Sequence, residues 1–167
     1  MSTKLLPQIN LEDVMARTAA DHPELSPAEL EAAETDYRRF LLLICHYPDT
    51  PMSPTGRADI VWHTHILFTQ QYRMDCLALF GKFMHHRPYT AGTAQETKAV
   101  AAGNLRRLYL KHYGADPVVE AMTAGDCDHQ ACATVPACSS DPGPDHWSGE
   151  RIVVQPLPLA VADAVSM

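Results

Sequence analysis

DIVWHTHILFTQQYRMDCLALFGKFMHHRPY, residues 59–89, decides the fold and concentrates four of the chain's nine histidines in an otherwise apolar run. Apolar side chains occur nearly all the way round its helical projection, which is the pattern of a helix enclosed on every side by others. The reading predicts one helix from about Arg57 to Phe80, buried at the centre of a bundle, with Gly81 as its stop. His85 and His86 then fall in a loop that extends to Gly92.

Working towards the N-terminus, the segment YPDTPMSPTG, residues 47–56, holds three prolines and a glycine and is neither helix nor central strand. Before it, Ser26-Pro27-Ala28-Glu29 sets out a cap, a first-turn proline and a capping-box glutamate in order. Leu30, Ala33, Tyr37, Phe40, Leu41 and Ile44 follow at helical spacing, and Pro48 ends the element. Asn10, with Glu12 and Asp13 after it, marks a shorter capped helix carrying Leu11, Val14, Met15 and Thr18.

Towards the C-terminus, Thr93-Ala94-Gln95-Glu96 is a second capping box, opening a helix with Val100, Leu105, Leu108 and Tyr109 that ends near Gly114. Nothing in this part alternates with period two. The expected fold class is all-α: a compact bundle of about four helices with a central buried helix over residues 1–114. An irregular tail containing Cys and Pro follows over residues 115–167, with residues 151–154 as its one candidate strand.

Charge marks the same boundary. Residues 1–114 hold 12 basic and 12 acidic side chains, whereas eight acids face only Arg151 afterwards, so the whole net charge of −7 lies in the tail. An acidic tail argues against a nucleic-acid partner. No stretch reaches the roughly eighteen uninterrupted apolar residues of a membrane span, and the N-terminus lacks the apolar run of a signal peptide. Five cysteines, an odd number, fit reduced thiols better than a disulfide framework. A cytoplasmic protein is expected.

Imidazole, carboxylate and thiolate are the groups that bind transition metals and move protons. His63, His65, His85, His86 and Asp59 are the metal-ligand candidates; Tyr72, Asp75 and Cys76 are candidate catalytic groups. Residues four apart share a helical face, so Asp59 and His63 can serve one site. Residues two apart point roughly 200° from each other, so an unbroken helix cannot place His63 and His65 on one ion. Either the helix is distorted near Trp62 or the two histidines serve different purposes. Two histidines and one carboxylate suit non-haem iron, and a tetrahedral set with Cys76 would suit zinc. Iron is the first expectation, then zinc or copper. The bland alternative is that these histidines hydrogen-bond a carboxylate or a helix end inside the core.

YRRFLLL (37–43), ADIVWHTHIL (58–67), YRMDCLALFGKFMHHRPY (72–89) and LYLKHYG (108–114) together resemble the glycine-rich domain-containing protein-like family, with its Trp-His-x-His-Ile-Leu segment and its Tyr-x-x-Asp-Cys, Phe-Gly and His-His-x-Pro-Tyr motifs. The resemblance implies no defined reaction. It also implies an aspartate where this chain has Phe68, and a glycine-rich region that is absent here.

In the tail, Cys127, Cys132, Cys138, His129 and His146 have zinc-binding side chains without the tight Cys-x-x-Cys spacing of zinc ribbons. Phosphate loops, nucleophile elbows and dinucleotide fingerprints are absent. The leading expectation is a metal-binding protein acting as a metal-dependent oxidative enzyme, through iron or copper, on a small molecule or peptide. Its rivals are a non-catalytic interaction module with a buried histidine network, a zinc-dependent hydrolase, and thiol redox chemistry at Cys76.

Overall fold

The computed structural model describes residues 9–88, 95–117 and 132–134. Among them are five helices, α1 (Glu12–Asp21), α2 (Pro27–His46), α3 (Gly56–Leu67), α4 (Thr69–Phe80) and α5 (Gln95–Tyr113), and two short strands, β1 (His86–Pro88) and β2 (Cys132–Thr134). The all-α reading holds.

Local chemistry sets most of the boundaries. Ser26 caps α2 with its side chain while Glu29 returns a bond to the Ser26 backbone N–H at 2.8 Å, so two otherwise orphaned donors are satisfied together. Thr55 performs the cap of α3 by accepting from the Ala58 N–H at 3.1 Å. Asn10 Oδ1 accepts from the Glu12 N–H at 2.9 Å at the mouth of α1. Gly81 closes α4 at φ 73°, a left-handed conformation that a side chain would resist.

Three expectations need correcting. The single helix over 57–80 is two helices: α3 stops at Leu67, Phe68 takes φ −82° and ψ 60°, and α4 starts at Thr69. The Phe68 N–H reaches back to the His65 carbonyl at 3.0 Å, a tightened last turn, and the Phe68 carbonyl then accepts from Tyr72 at 2.8 Å to begin α4. Ten residues of continuous helix would set His65 about 15 Å from Asp75. The break folds α4 back, and the two side chains meet at 3.1 Å. With this break the described residues hold five helices where about four were expected.

Second, the loop expected around His85 carries β1, which pairs antiparallel with β2 in the register His86 with Thr134, Arg87 with Ala133 and Pro88 with Cys132. Third, the tail expected to be irregular supplies β2. The second capping box at Thr93 and the candidate strand at 151–154 lie outside the described residues.

The core centres on α3, which packs chiefly against α2. Tyr37, Phe40, Leu41 and Leu43 from α2, Ala58, Val61 and Trp62 from α3, and Leu105, Leu108 and Tyr109 from α5 are all buried in one cluster. A buried charge ties the same three helices. Asp36 accepts from Tyr109 Oη at 3.0 Å through Oδ1 and from Arg57 Nε at 3.0 Å through Oδ2. Among the described residues, no helix is long and apolar enough to cross a membrane.

Candidate metal centre

α3 places its two histidines on different faces, as two-residue spacing requires. The side chain of His63 is 45% exposed, while His65 is 1% exposed. They belong to separate constellations.

His63 joins Asp59, one turn earlier on α3, and His86, delivered by β1. One ligand atom from each of the three lies within 4.8 Å of the others. The His63 and His86 rings meet edge to face with centroids 4.6 Å apart. His63 Nδ1 donates to the Asp59 backbone carbonyl at 2.9 Å and sits 3.4 Å from Asp59 Oδ2. With the Nδ1 proton so engaged, Nε2 keeps its lone pair. Asp59 itself is buried.

His86 packs against the Trp62 ring at 4.9 Å between centroids, and its Nε2 is shut off from solvent and has no hydrogen-bond partner among the described residues. Burial holds the His86 pKa below the ordinary histidine range, and the neighbouring His63 adds to the effect. Both causes favour the neutral ring, which is the metal-binding form.

A tetrahedral ion with bonds of about 2.0–2.1 Å holds its nitrogen ligands about 3.3 Å apart. The three ligand atoms lie within 4.8 Å of one another, a wider spread than that spacing. The group's composition is two imidazoles and one carboxylate.

His65 sits in the second constellation. Its Nε2 faces Asp75 Oδ2 at 3.1 Å and its Nδ1 faces Tyr37 Oη at 2.8 Å. The proton placement that satisfies all three groups puts hydrogen on Nε2 and has Tyr37 donating to Nδ1. Burial drives the Tyr37 pKa well up, so the phenol keeps that proton. Both ring nitrogens of His65 are thereby used within the protein.

Tyr72 donates to the Met84 carbonyl at 2.7 Å and accepts from Trp62 Nε1 at 3.0 Å. Cys76 is buried beside it, and burial pushes its thiol up to about 11. Asp75, Tyr72 and Cys76 thus gather round His65, not round Asp59. Trp62 touches both groups, through its indole N–H to Tyr72 and through its ring to His86.

His85 is exposed and meets Phe83 edge to face with centroids 4.9 Å apart. The structure thus brings His63, His86 and Asp59 together and leaves His65 and His85 out of that group. Cys127, Cys138, His129 and His146 lie outside the described residues, as does the side chain of Cys132.

The sequence reading passed over the neighbourhood of His63. A surface groove of about 370 Å³ runs beside it, lined by Asp21 and His22 at the end of α1 and by Ile60, His63, Thr64 and Leu67 of α3. The α3 members recur at a spacing of three and four, one helical stripe. Asp21 and His22 reach it through the packing of α1 on α3, which no local pattern announces.

Comparison with known proteins decides the family. Residues 4–117 match the UCP032817-like family. The chain belongs to that family. The match overturns the resemblance to the glycine-rich domain-containing proteins, and with it the reason to expect an aspartate at Phe68. Phe68 instead marks the break between α3 and α4. No curated protein and no solved structure matches the chain.

Proposed function

We propose that this member of the UCP032817-like family is a metalloprotein, in which Asp59, His63 and His86 hold one transition-metal ion. The observation that carries the proposal is the convergence of these three donors from α3 and β1, together with a buried His86 Nε2 that has no partner among the described residues. A buried polar nitrogen without a partner is rare enough in proteins to require a cause, and an ion supplies one.

Three protein ligands leave coordination positions open, which is the mark of a catalytic and not a purely structural site. Two histidines and a carboxylate favour iron, with oxidative chemistry on a small molecule or peptide; zinc or copper come next. With zinc, the ion would supply an activated water for hydrolysis instead. The half-exposed His63 and the groove beside it give a substrate its approach. A cytoplasmic setting accords with the odd number of cysteines.

A second reading has an observation of its own. The His65, Tyr37 and Asp75 network is fully satisfied and lies in the core, as in a non-catalytic module with a structural histidine network. The two readings divide the histidines between them, His65 being structural in both.

The test is elemental analysis of the full chain purified without a histidine tag. Near-stoichiometric metal in the wild type, lost in both His63→Ala and His86→Ala, supports the site, and the element found chooses between oxidative and hydrolytic chemistry. A chain that stays free of iron, zinc and copper after reconstitution sinks the proposal.

A further inference from the structure

β2 brings a cysteine of the tail to the strand that carries His86. In the antiparallel register His86 stands opposite Thr134, and Pro88 stands opposite Cys132. Partners across a ribbon share a face, and so do residues two apart along one strand. Cys132 is therefore on the same face of the ribbon as His86, at the diagonal position. That face is turned to α3, since the His86 ring meets both Trp62 and His63.

Diagonal neighbours lie about 7–8 Å apart, within reach of a long side chain. A metal ion between them extends that reach, because it stands about 2.0–2.1 Å from a nitrogen and about 2.3 Å from a sulfur. The other cysteines of the described residues are engaged elsewhere: Cys45 faces the Leu79 carbonyl, and Cys76 is buried beside Tyr72. Asp59, His63 and His86 are one donor short of a tetrahedral set, and the buried His86 Nε2 has no partner among the described residues.

We infer that Cys132 is the fourth protein ligand of this centre, its thiolate binding the ion held by Asp59, His63 and His86. The inference rests on the metal reading and deepens it. The thiol gives up its proton to solvent as the sulfur–metal bond forms. The acidic tail thereby becomes part of the centre through β2. A fourth protein ligand also sorts the chemistry. It closes a tetrahedral zinc site and makes it structural, whereas a six-coordinate iron keeps positions open for a substrate.

The experiment is an anaerobic cobalt(II) titration of the full, reduced chain, read by absorption and by iodoacetamide labelling of the thiols mapped by mass spectrometry. Cobalt should raise a thiolate-to-metal charge-transfer band in the near ultraviolet. It should slow the labelling of Cys132 by about tenfold or more and leave Cys127 and Cys138 unchanged, because a metal-bound thiolate is a poor nucleophile. Cys132→Ser should abolish the band and weaken cobalt binding about tenfold or more. Cys132→His, which returns a metal donor, should restore the affinity without the band.

The labelling is done on the wild-type chain, so it does not depend on how a variant folds. Cobalt that binds without the band, leaves Cys132 as reactive as before, or gives a band that survives Cys132→Ser overturns the fourth ligand and leaves the three-donor site standing. A wild-type chain that binds no cobalt refutes the metal reading, and the fourth ligand with it.

Discussion

His65 and Asp75, ten positions apart in the chain, meet at 3.1 Å because the backbone breaks at Phe68 and returns α4 along α3. Tyr37 completes the contact from α2 at 2.8 Å. One imidazole thus joins three helices at the centre of the bundle.

That junction should matter to stability and not to metal binding. Tyr37→Phe removes a buried hydroxyl and leaves His65 Nδ1 unsatisfied, at a cost of about 1–3 kcal/mol. Urea unfolding measures it, and metal content should be unchanged. A Tyr37→Phe protein of wild-type stability that loses its metal would reverse these roles.

Asp36 predicts a larger effect. It is buried and receives both Tyr109 Oη and Arg57 Nε at 3.0 Å. Asp36→Ala removes the buried carboxylate that Arg57 and Tyr109 share, and breaking a buried pair costs about 3–5 kcal/mol. The thermal midpoint should fall by many degrees; a fall within that of a surface substitution would show that the network adds little.

The thiols yield a pH prediction. Burial raises Cys76 to about 11 and Cys45 to about 12. Both should resist alkylation at pH 8 in the folded chain and react after denaturation. The unfolded chain ionises its thiols near their ordinary value, while the folded chain holds their protons longer. Stability is therefore fully present below about pH 8.5 and declines as pH rises towards 11. Buried Tyr37, Tyr72 and Tyr109, all shifted upward, extend the decline further into the alkaline range. Rapid labelling of native Cys76 at pH 8 would contradict this and revive thiol chemistry.

Gly81 should tolerate substitution poorly for a backbone reason alone. At φ 73° it occupies the left-handed region, so Gly81→Ala costs about 1–2 kcal/mol by denaturant midpoint. Gly103 gives the contrast, since a Cβ there meets open space within a helix. Gly103→Ala should stabilise by up to about 1 kcal/mol.

What the sequence made legible follows from the range of the forces involved. The caps at Ser26 and Gly81 act within four residues, and the chain displays them directly. The break at Phe68 has neither proline nor glycine to signal it. It is held by contacts that exist only once α4 has folded back, such as His65 to Asp75 and Trp62 to Tyr72. At the site, helical spacing paired Asp59 with His63 and separated His63 from His65. The choice of His86 over His85 depends on β1, whose partner strand lies more than forty residues away. The groove was invisible for the same reason, because Asp21 and His22 meet α3 only through tertiary packing.

The adjacent histidines of that doublet supply the most direct measurement of the central claim. Anaerobic calorimetric titration of the full chain with iron(II) should give one site per chain. His86→Ala should weaken it at least tenfold, whereas His85→Ala, which alters an exposed ring outside the group, should leave it unchanged. Equal losses in the two variants, or no saturable iron site in the wild type, would contradict a metal centre at Asp59, His63 and His86.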